Sequence, residues 1–126
     1  MSPVSVRYIV DDLDPAIGFY RDALGFDVVM HPAPTFAMLA RGDLRLLLSV
    51  PSGRGGGGHV MPDGRRPEPG GWNRFQLEVG DLRAAVDRLR AAGARFRNEI
   101  VEGIGGDQVL VEDPSGNAIE LFQNKR

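Results

Sequence analysis

The sequence predicts an α+β chain made of two copies of one βαβββ module. Val6-Arg-Tyr-Ile-Val-Asp-Asp-Leu13 leads into Ala16, Ile17, Tyr20 and Ala23. Phe75-Gln-Leu-Glu-Val-Gly-Asp-Leu82 leads into Ala85, Val86, Leu89 and Ala92, each residue 69 positions after its equivalent. Each copy reads as an alternating strand, an Asp-Leu turn and an amphipathic helix. Each then runs into segments of strand-like alternation broken by turn residues. Two such copies bury their apolar faces as one domain over residues 1–126, with module one at about 4–50 and module two at about 72–124.

In the first copy, residues 4–10 alternate and are rich in Val, Ile and Tyr, as a strand requires. Asp14 is the expected N-cap, Pro15 suits the first helical position, and Gly25 suits the C′ position of a helix over residues 15–24. A strand from Phe26 to about Met30 precedes Pro32 and Pro34. Thr35–Ala40 and Leu44–Val50 flank Gly42-Asp43 as a β-hairpin.

The second copy repeats the order. A strand over Arg74–Val79 is followed by a helix at 82–92 that stops at Gly93, then a strand near Arg95–Ile100. Gln108–Glu112 and Ala118–Gln123 are joined by Asp113-Pro-Ser-Gly-Asn117, whose Pro and Gly are turn residues. Between the copies, residues 51–71 carry four consecutive glycines, Gly55–Gly58, and Pro51, Pro62, Pro67 and Pro69. This linker is either a plain crossover or a cover over a site.

Composition narrows the function. The chain has 126 residues, 42% hydrophobic and 25% charged, the balance of a soluble globular protein. A net charge of −2 gives no general attraction to nucleic acid or to an anionic membrane. No segment has the length and apolarity of a membrane span. The absence of cysteine excludes disulfides, thiolate metal sites and a cysteine nucleophile. A cytoplasmic protein without nucleic-acid or membrane partners is expected.

Alternation sorts each strand into two faces. Val4, Val6, Tyr8 and Val10, and Phe75, Leu77 and Val79, form the rows that face the helices. A two-residue hairpin loop sets Ala40 opposite Arg45, Met38 opposite Leu47 and Phe36 opposite Ser49; in the second copy Glu112 opposes Ala118, Leu110 opposes Glu120 and Gln108 opposes Phe122. The non-helix face therefore carries Arg7, Arg45, Arg74, Gln76, Glu78, Gln108, Glu112 and Glu120 among Phe36, Met38, Leu47, Leu110 and Phe122. Such a mixture suits a partly enclosed pocket. It also suits a wet sheet face with solvated charge pairs, and both readings stand at this point. Trp72 is either an anchor closing the linker against the core or an aromatic wall for a flat ligand. The glycine run lacks the spacing of a phosphate-binding loop, and nothing supports a Ser-His-Asp set.

Asp12-Leu13-Asp14, the run Phe19-Tyr-Arg-Asp-Ala-Leu-Gly-Phe26 and the terminal Asp113-Pro-Ser-Gly-Asn-Ala-Ile-Glu-Leu121 resemble the vicinal oxygen chelate superfamily. That group includes glyoxalase I, extradiol dioxygenases, fosfomycin-resistance enzymes and bleomycin-resistance binding proteins. The resemblance implies paired βαβββ modules whose curved mixed sheet surrounds a cavity, usually in a homodimer. It also implies a divalent metal held by one residue from the first and one from the last strand of each module. Those positions fall on Ser5, Leu47, Arg74 and Glu120, and only Glu120 is a good ligand. Leu47 has no donor atom, and a guanidinium stays protonated and repels a cation. His31 and His59 lie on neither ligand strand.

No catalytic metal or other cofactor is therefore expected, with a divalent ion as the minor alternative. The expected function is binding of a small organic molecule, its acidic group met by Arg7, Arg45 or Arg74 and its aromatic or apolar body by Phe36, Met38, Leu47, Leu110, Phe122 or Trp72, with Gln76 among the polar contacts. The alternative is a glyoxalase-, isomerase- or dioxygenase-type enzyme, with metal at Glu120 or with Glu120 or Glu78 as proton carrier.

Overall fold

Each amphipathic helix needs a sheet with one apolar face beneath it, and the chain supplies two. The structure is a computed structural model that describes residues 3–52 and 56–125, so Gly55 of the glycine run lies outside the described residues. The chain divides into two compact units, Met1–Gly70 and Gly71–Arg126. The α+β architecture of two βαβββ modules is present as two mixed sheets, four-stranded and five-stranded.

In the first unit, β1 (Val4–Ile9), β2 (Asp27–Ala33), β3 (Phe36–Arg41) and β4 (Leu44–Ser49) lie in the order β1-β4-β3-β2. β1 runs parallel to β4, and β3 pairs antiparallel with both neighbours. Arg41 faces Leu44 across the Gly42-Asp43 loop, where Gly42 takes φ +59°. A positive φ at the first loop residue is what a two-residue hairpin with Gly there requires. Ala37, Leu39, Leu46 and Leu48 are buried on the face that packs under the helix.

Three expectations for this unit need correction. Helix α1 begins at Leu13, with Asp12 as the extended N-cap residue, and spans Leu13–Gly18 before widening to π geometry over Phe19–Ala23. Pro15 thus sits third in the first turn, where its missing N–H still breaks no intrahelical bond. The earlier start places Leu13 inside with Ala16, Ile17 and Tyr20. Phe19 and Phe26 meet the Tyr20 ring edge-on at 5.3 and 5.5 Å. Strand β2 continues through Pro32 to Ala33, which is tolerated because β2 is an edge strand with shifted register on either side of Met30. The apolar row of β1 is buried only at Tyr8 and Val10; Val4, at the start of this edge strand, is exposed.

In the second unit, β5 (Gln76–Glu78), β6 (Arg95–Phe96), β8 (Gly106–Glu112) and β9 (Ala118–Asn124) lie in the order β5-β9-β8-β6, and β7 (Val101–Glu102) also pairs with β8. Helix α2 (Leu82–Ala91) is capped by Asp81, whose carboxylate accepts from Ala84 N at 3.1 Å. Gln123 Oε1 accepts from Leu82 N, satisfying another first-turn donor from β9. Gly93 ends the helix at φ +90°.

The strand expected over Arg74–Val79 is shorter, Gln76–Glu78, although Phe75 O and Val79 N still bond to β9. The strand expected over Arg95–Ile100 is divided into β6 and β7. At the break Asn98 Oδ1 takes the Leu110 N–H at 2.9 Å, so a side chain replaces a ladder bond and the chain turns away.

The β8–β9 connector explains the terminal motif. Asp113 is 1% exposed. Its Oδ1 accepts from Ser115 N and Asn117 N, both at 2.9 Å, and its Oδ2 from Asn117 Nδ2 at 3.0 Å. Gly116 takes φ +87°. Removing this buried carboxylate takes from the turn the three hydrogen bonds that it organises. Asp113→Ala is expected to cost about 2–4 kcal/mol in urea unfolding. A loss under about 0.5 kcal/mol, the range of ordinary surface substitutions, would mean that the turn holds itself by other means.

Candidate functional site

On the non-helix face of the second sheet, Gln76, Glu120 and Leu110 lie side by side across β5, β9 and β8. Glu120 is buried on a mid-strand position, so its carboxylate needs partners. Arg74 donates to Oε1 from Nε at 3.1 Å and from Nη2 at 2.9 Å. Gln76 Nε2 donates to Oε2 at 2.6 Å. The Arg74 Nη1 group donates to Trp72 O at 3.1 Å. Both oxygens of Glu120 are therefore engaged, by a fixed cation and an amide.

A second cluster in the same unit centres on Arg97, a residue that sequence reasoning missed. Its Nε donates to Glu112 Oε2 at 2.8 Å, Nη1 to Gly71 O at 2.7 Å and Nη2 to Gly116 O at 2.8 Å. Its guanidinium carbon stands 4.7 Å from the centre of the Trp72 ring. Arg97 follows Arg95 by two positions, and Arg95 pairs with Glu112 across β6 and β8. That alternation was the available signal. Trp72 itself is 70% exposed, so it does not anchor the linker in the core. Its ring covers Arg97 and its carbonyl holds Arg74.

The remaining candidates of this unit flank the Glu120 row. Phe122 faces Glu78 and Gln108 in the next row and is half-buried; Glu78 is exposed. In the first unit the equivalent row is Arg7, Leu47 and Met38, with Ser5, Arg45 and Ala40 on one side and Ile9, Ser49 and Phe36 on the other. Arg7 and Arg45 are exposed, whereas Phe36, Met38 and Leu47 are half-buried. Arg7 and Phe36 come together with Ser49 and Gly56–Gly58 around a cleft of about 290 Å³. Arg45, Met38 and Leu47 do not line it.

The family model of the Glyoxalase/Bleomycin resistance protein/Dioxygenase superfamily matches residues 3–121. The chain belongs to this superfamily. It is 28% identical to a lactoylglutathione lyase of Haemophilus influenzae, over 92% of this chain and 87% of the relative. A superfamily member from Sphaerobacter thermophilus is similar in structure with a TM-score of 0.77 and 26% identity, covering 98% of each chain. TnmS3, an antibiotic binding protein from Streptomyces, is similar with a TM-score of 0.74 and 26% identity, covering 99% of this chain and 98% of its own.

The donor set does not fit the divalent ion that the superfamily resemblance implies. Among the described residues no three His, Cys, Asp or Glu side chains gather in a way that holds a metal. A catalytic ion takes about three protein ligands and an open position. At the family positions Ser5 is exposed and Leu47 offers no donor, while Arg74 brings positive charge onto Glu120. His31 and His59 are exposed, on β2 and in the linker.

The Arg74–Glu120 geometry has a measurable consequence. Their side chains are 31% and 11% exposed, so removing Arg74 strands a largely buried carboxylate. Arg74→Ala is expected to destabilise by about 1–3 kcal/mol, discounted from a fully buried pair for the exposure of the guanidinium. Adding Glu120→Gln should recover much of that loss. A double-mutant cycle on thermal or urea unfolding with a coupling energy near zero would show the two groups to be energetically independent.

Proposed function

We propose that this protein binds a small organic molecule and does so without a catalytic divalent metal. The observation that carries the reading is the state of Glu120. The one family ligand position that keeps a carboxylate has both oxygens taken by Arg74 and Gln76. A metal would have to displace a guanidinium and an amide and would gain one ligand. The half-apolar sheet faces, with Phe36, Met38 and Leu47 in one unit and Leu110 and Phe122 in the other, support an apolar or aromatic ligand body. The likeness to an antibiotic binding protein agrees with binding as the activity.

The enzyme reading draws on the lactoylglutathione lyase relative. It requires Glu120 to act as a base or a ligand. Both oxygens of that carboxylate are already engaged by Arg74 and Gln76, so a substrate proton or an ion would first have to displace one of these partners.

Elemental analysis of protein purified without chelator is expected to find no stoichiometric Ni, Zn, Fe or Mn. Native mass spectrometry of the same sample is expected to show a co-purifying small molecule. A stoichiometric metal that is lost in Glu120→Gln would replace this reading with the enzyme.

A symmetric homodimer belongs to the same proposal. Edge strand β2 leaves Val28, Val29 and Met30 exposed, and an open edge with apolar side chains favours association. Sedimentation at micromolar concentration is expected to give a dimer; a concentration-independent monomer contradicts it. A cytoplasmic setting suits a chain without cysteine, and no helix among the described residues is long and apolar enough to cross a membrane.

A further inference from the structure

We infer that the cleft of the first unit is the place where a small planar carboxylate is held, with the Arg7 guanidinium and the Ser49 hydroxyl on its acid group and Phe36 and Val50 against its body. This rests on the small-molecule-binding reading and gives it a position and a ligand class. With Arg74 committed to Glu120 and to the Trp72 carbonyl, the positive charge for an acidic ligand must come from elsewhere.

Arg7 is such a source. Among the described residues no carboxylate lies within ion-pair distance of it, as is also true of Arg41, Arg45, Arg66, Arg83 and Arg88, and of these six only Arg7 lines the cleft. Ser49 is 3% exposed and lines the cleft. Its backbone is paired, but its hydroxyl makes no hydrogen bond among the described residues. Both groups line the cleft, so an acceptor placed there can take a hydrogen bond from the hydroxyl and from the guanidinium at once.

The glycine run has a physical reason at this point. A Cβ on Gly57 would lie 2.5 Å from both Arg7 Nε and Ser49 Oγ, so a side chain there would have to push these two groups aside. A Cβ on Gly58 would run into Val50 O. The segment is tied back by Ser52 N donating to Gly58 O at 2.8 Å. Arg66 Nη2 donates to Pro51 O at 3.0 Å at the base of the same segment.

The chemistry selects the ligand class. A guanidinium fork matches the two coplanar oxygens of a carboxylate, and a hydroxyl adds one donor. A volume of about 290 Å³ is at the lower end for ligand pockets, which suits a one-ring acid and not a nucleotide. The Phe36 ring and Val50 supply the apolar wall.

The test is an amide and arginine side-chain NMR titration of the full chain with benzoate, and separately with inorganic phosphate. Benzoate is expected to give saturable shifts at Arg7 Nε–H and at the amides of Ser52 and Gly56–Gly58. Arg7→Gln should weaken binding roughly tenfold or more, and Arg7→Lys, which keeps the charge without the fork, by less. Arg88→Gln on α2, which removes the same charge elsewhere, should leave the affinity unchanged. Gly57→Ala, whose methyl displaces Arg7 and Ser49, should weaken the response; the dispersion of its free spectrum shows whether the unit is intact. Equal shifts with phosphate would reduce the cleft to a general anion site and overturn the carboxylate assignment. Shifts confined to Gln76 and the Glu120 row would leave the small-molecule reading standing and remove this subsite. No saturable shift with benzoate overturns the inference, whereas the broader reading is judged by the co-purifying molecule.

Discussion

The register of the β3–β4 and β8–β9 hairpins is the constraint on which both faces of each sheet depend. A slip of one residue would turn Leu46 and Leu48 in one unit, and Val109, Val111, Ile119 and Leu121 in the other, out of the core. It would also carry Glu120 and Leu47 to the helix side. Two different turns hold that register. A Gly-Asp pair makes the shortest hairpin loop in the first unit. In the second a longer connector is wrapped around the buried Asp113 carboxylate. The terminal motif thus has two parts, Asp113 organising the turn and Glu120 facing the polar row.

With register set, the polar face follows a simple charge logic. Glu120 sits where a carboxylate must be compensated, and Arg74 compensates it from the neighbouring chain segment. A guanidinium in this place does what a bound cation does for a carboxylate, but it is covalently fixed and always protonated. With Gln76 on its other oxygen, Glu120 is compensated entirely from within the second unit. Arg97 applies the same logic to structure, joining Glu112, two backbone carbonyls and the Trp72 ring into one staple.

In the first unit the polar groups are not self-compensated. Arg7 and Ser49 face a cleft instead of each other's partners, and the glycines that cover them leave no side chain in the way. The contrast between equivalent positions is informative. Gln76, the counterpart of Arg7, bonds to Glu120, whereas Arg7 has Leu47 beside it, which accepts nothing. Where the second unit has Glu120 beside Gln76, the first has Leu47 beside Arg7 and offers it no carboxylate.

Much of this was legible without coordinates, and the boundary between legible and hidden is physical. Strand alternation, the Gly42-Asp43 loop and the Gly93 stop are short-range, so the hairpin pairs and helix α2 follow from neighbouring residues alone. The same alternation put Arg74, Gln76 and Glu120 on one face. What depends on groups far apart in the chain was not legible. The start of α1 at Leu13 is decided by burial of Leu13 against its sheet, and the break between β6 and β7 by Asn98 capturing the Leu110 N–H. Trp72 reads as an anchor until Arg97 gives it a partner outside the core. By itself, then, the sequence determined the repeat, the register and the residue types on each face, because those are set by local geometry. Only the tertiary structure decided which charges are already satisfied, because a hydrogen bond between residues from separate strands depends on distances that no local pattern encodes.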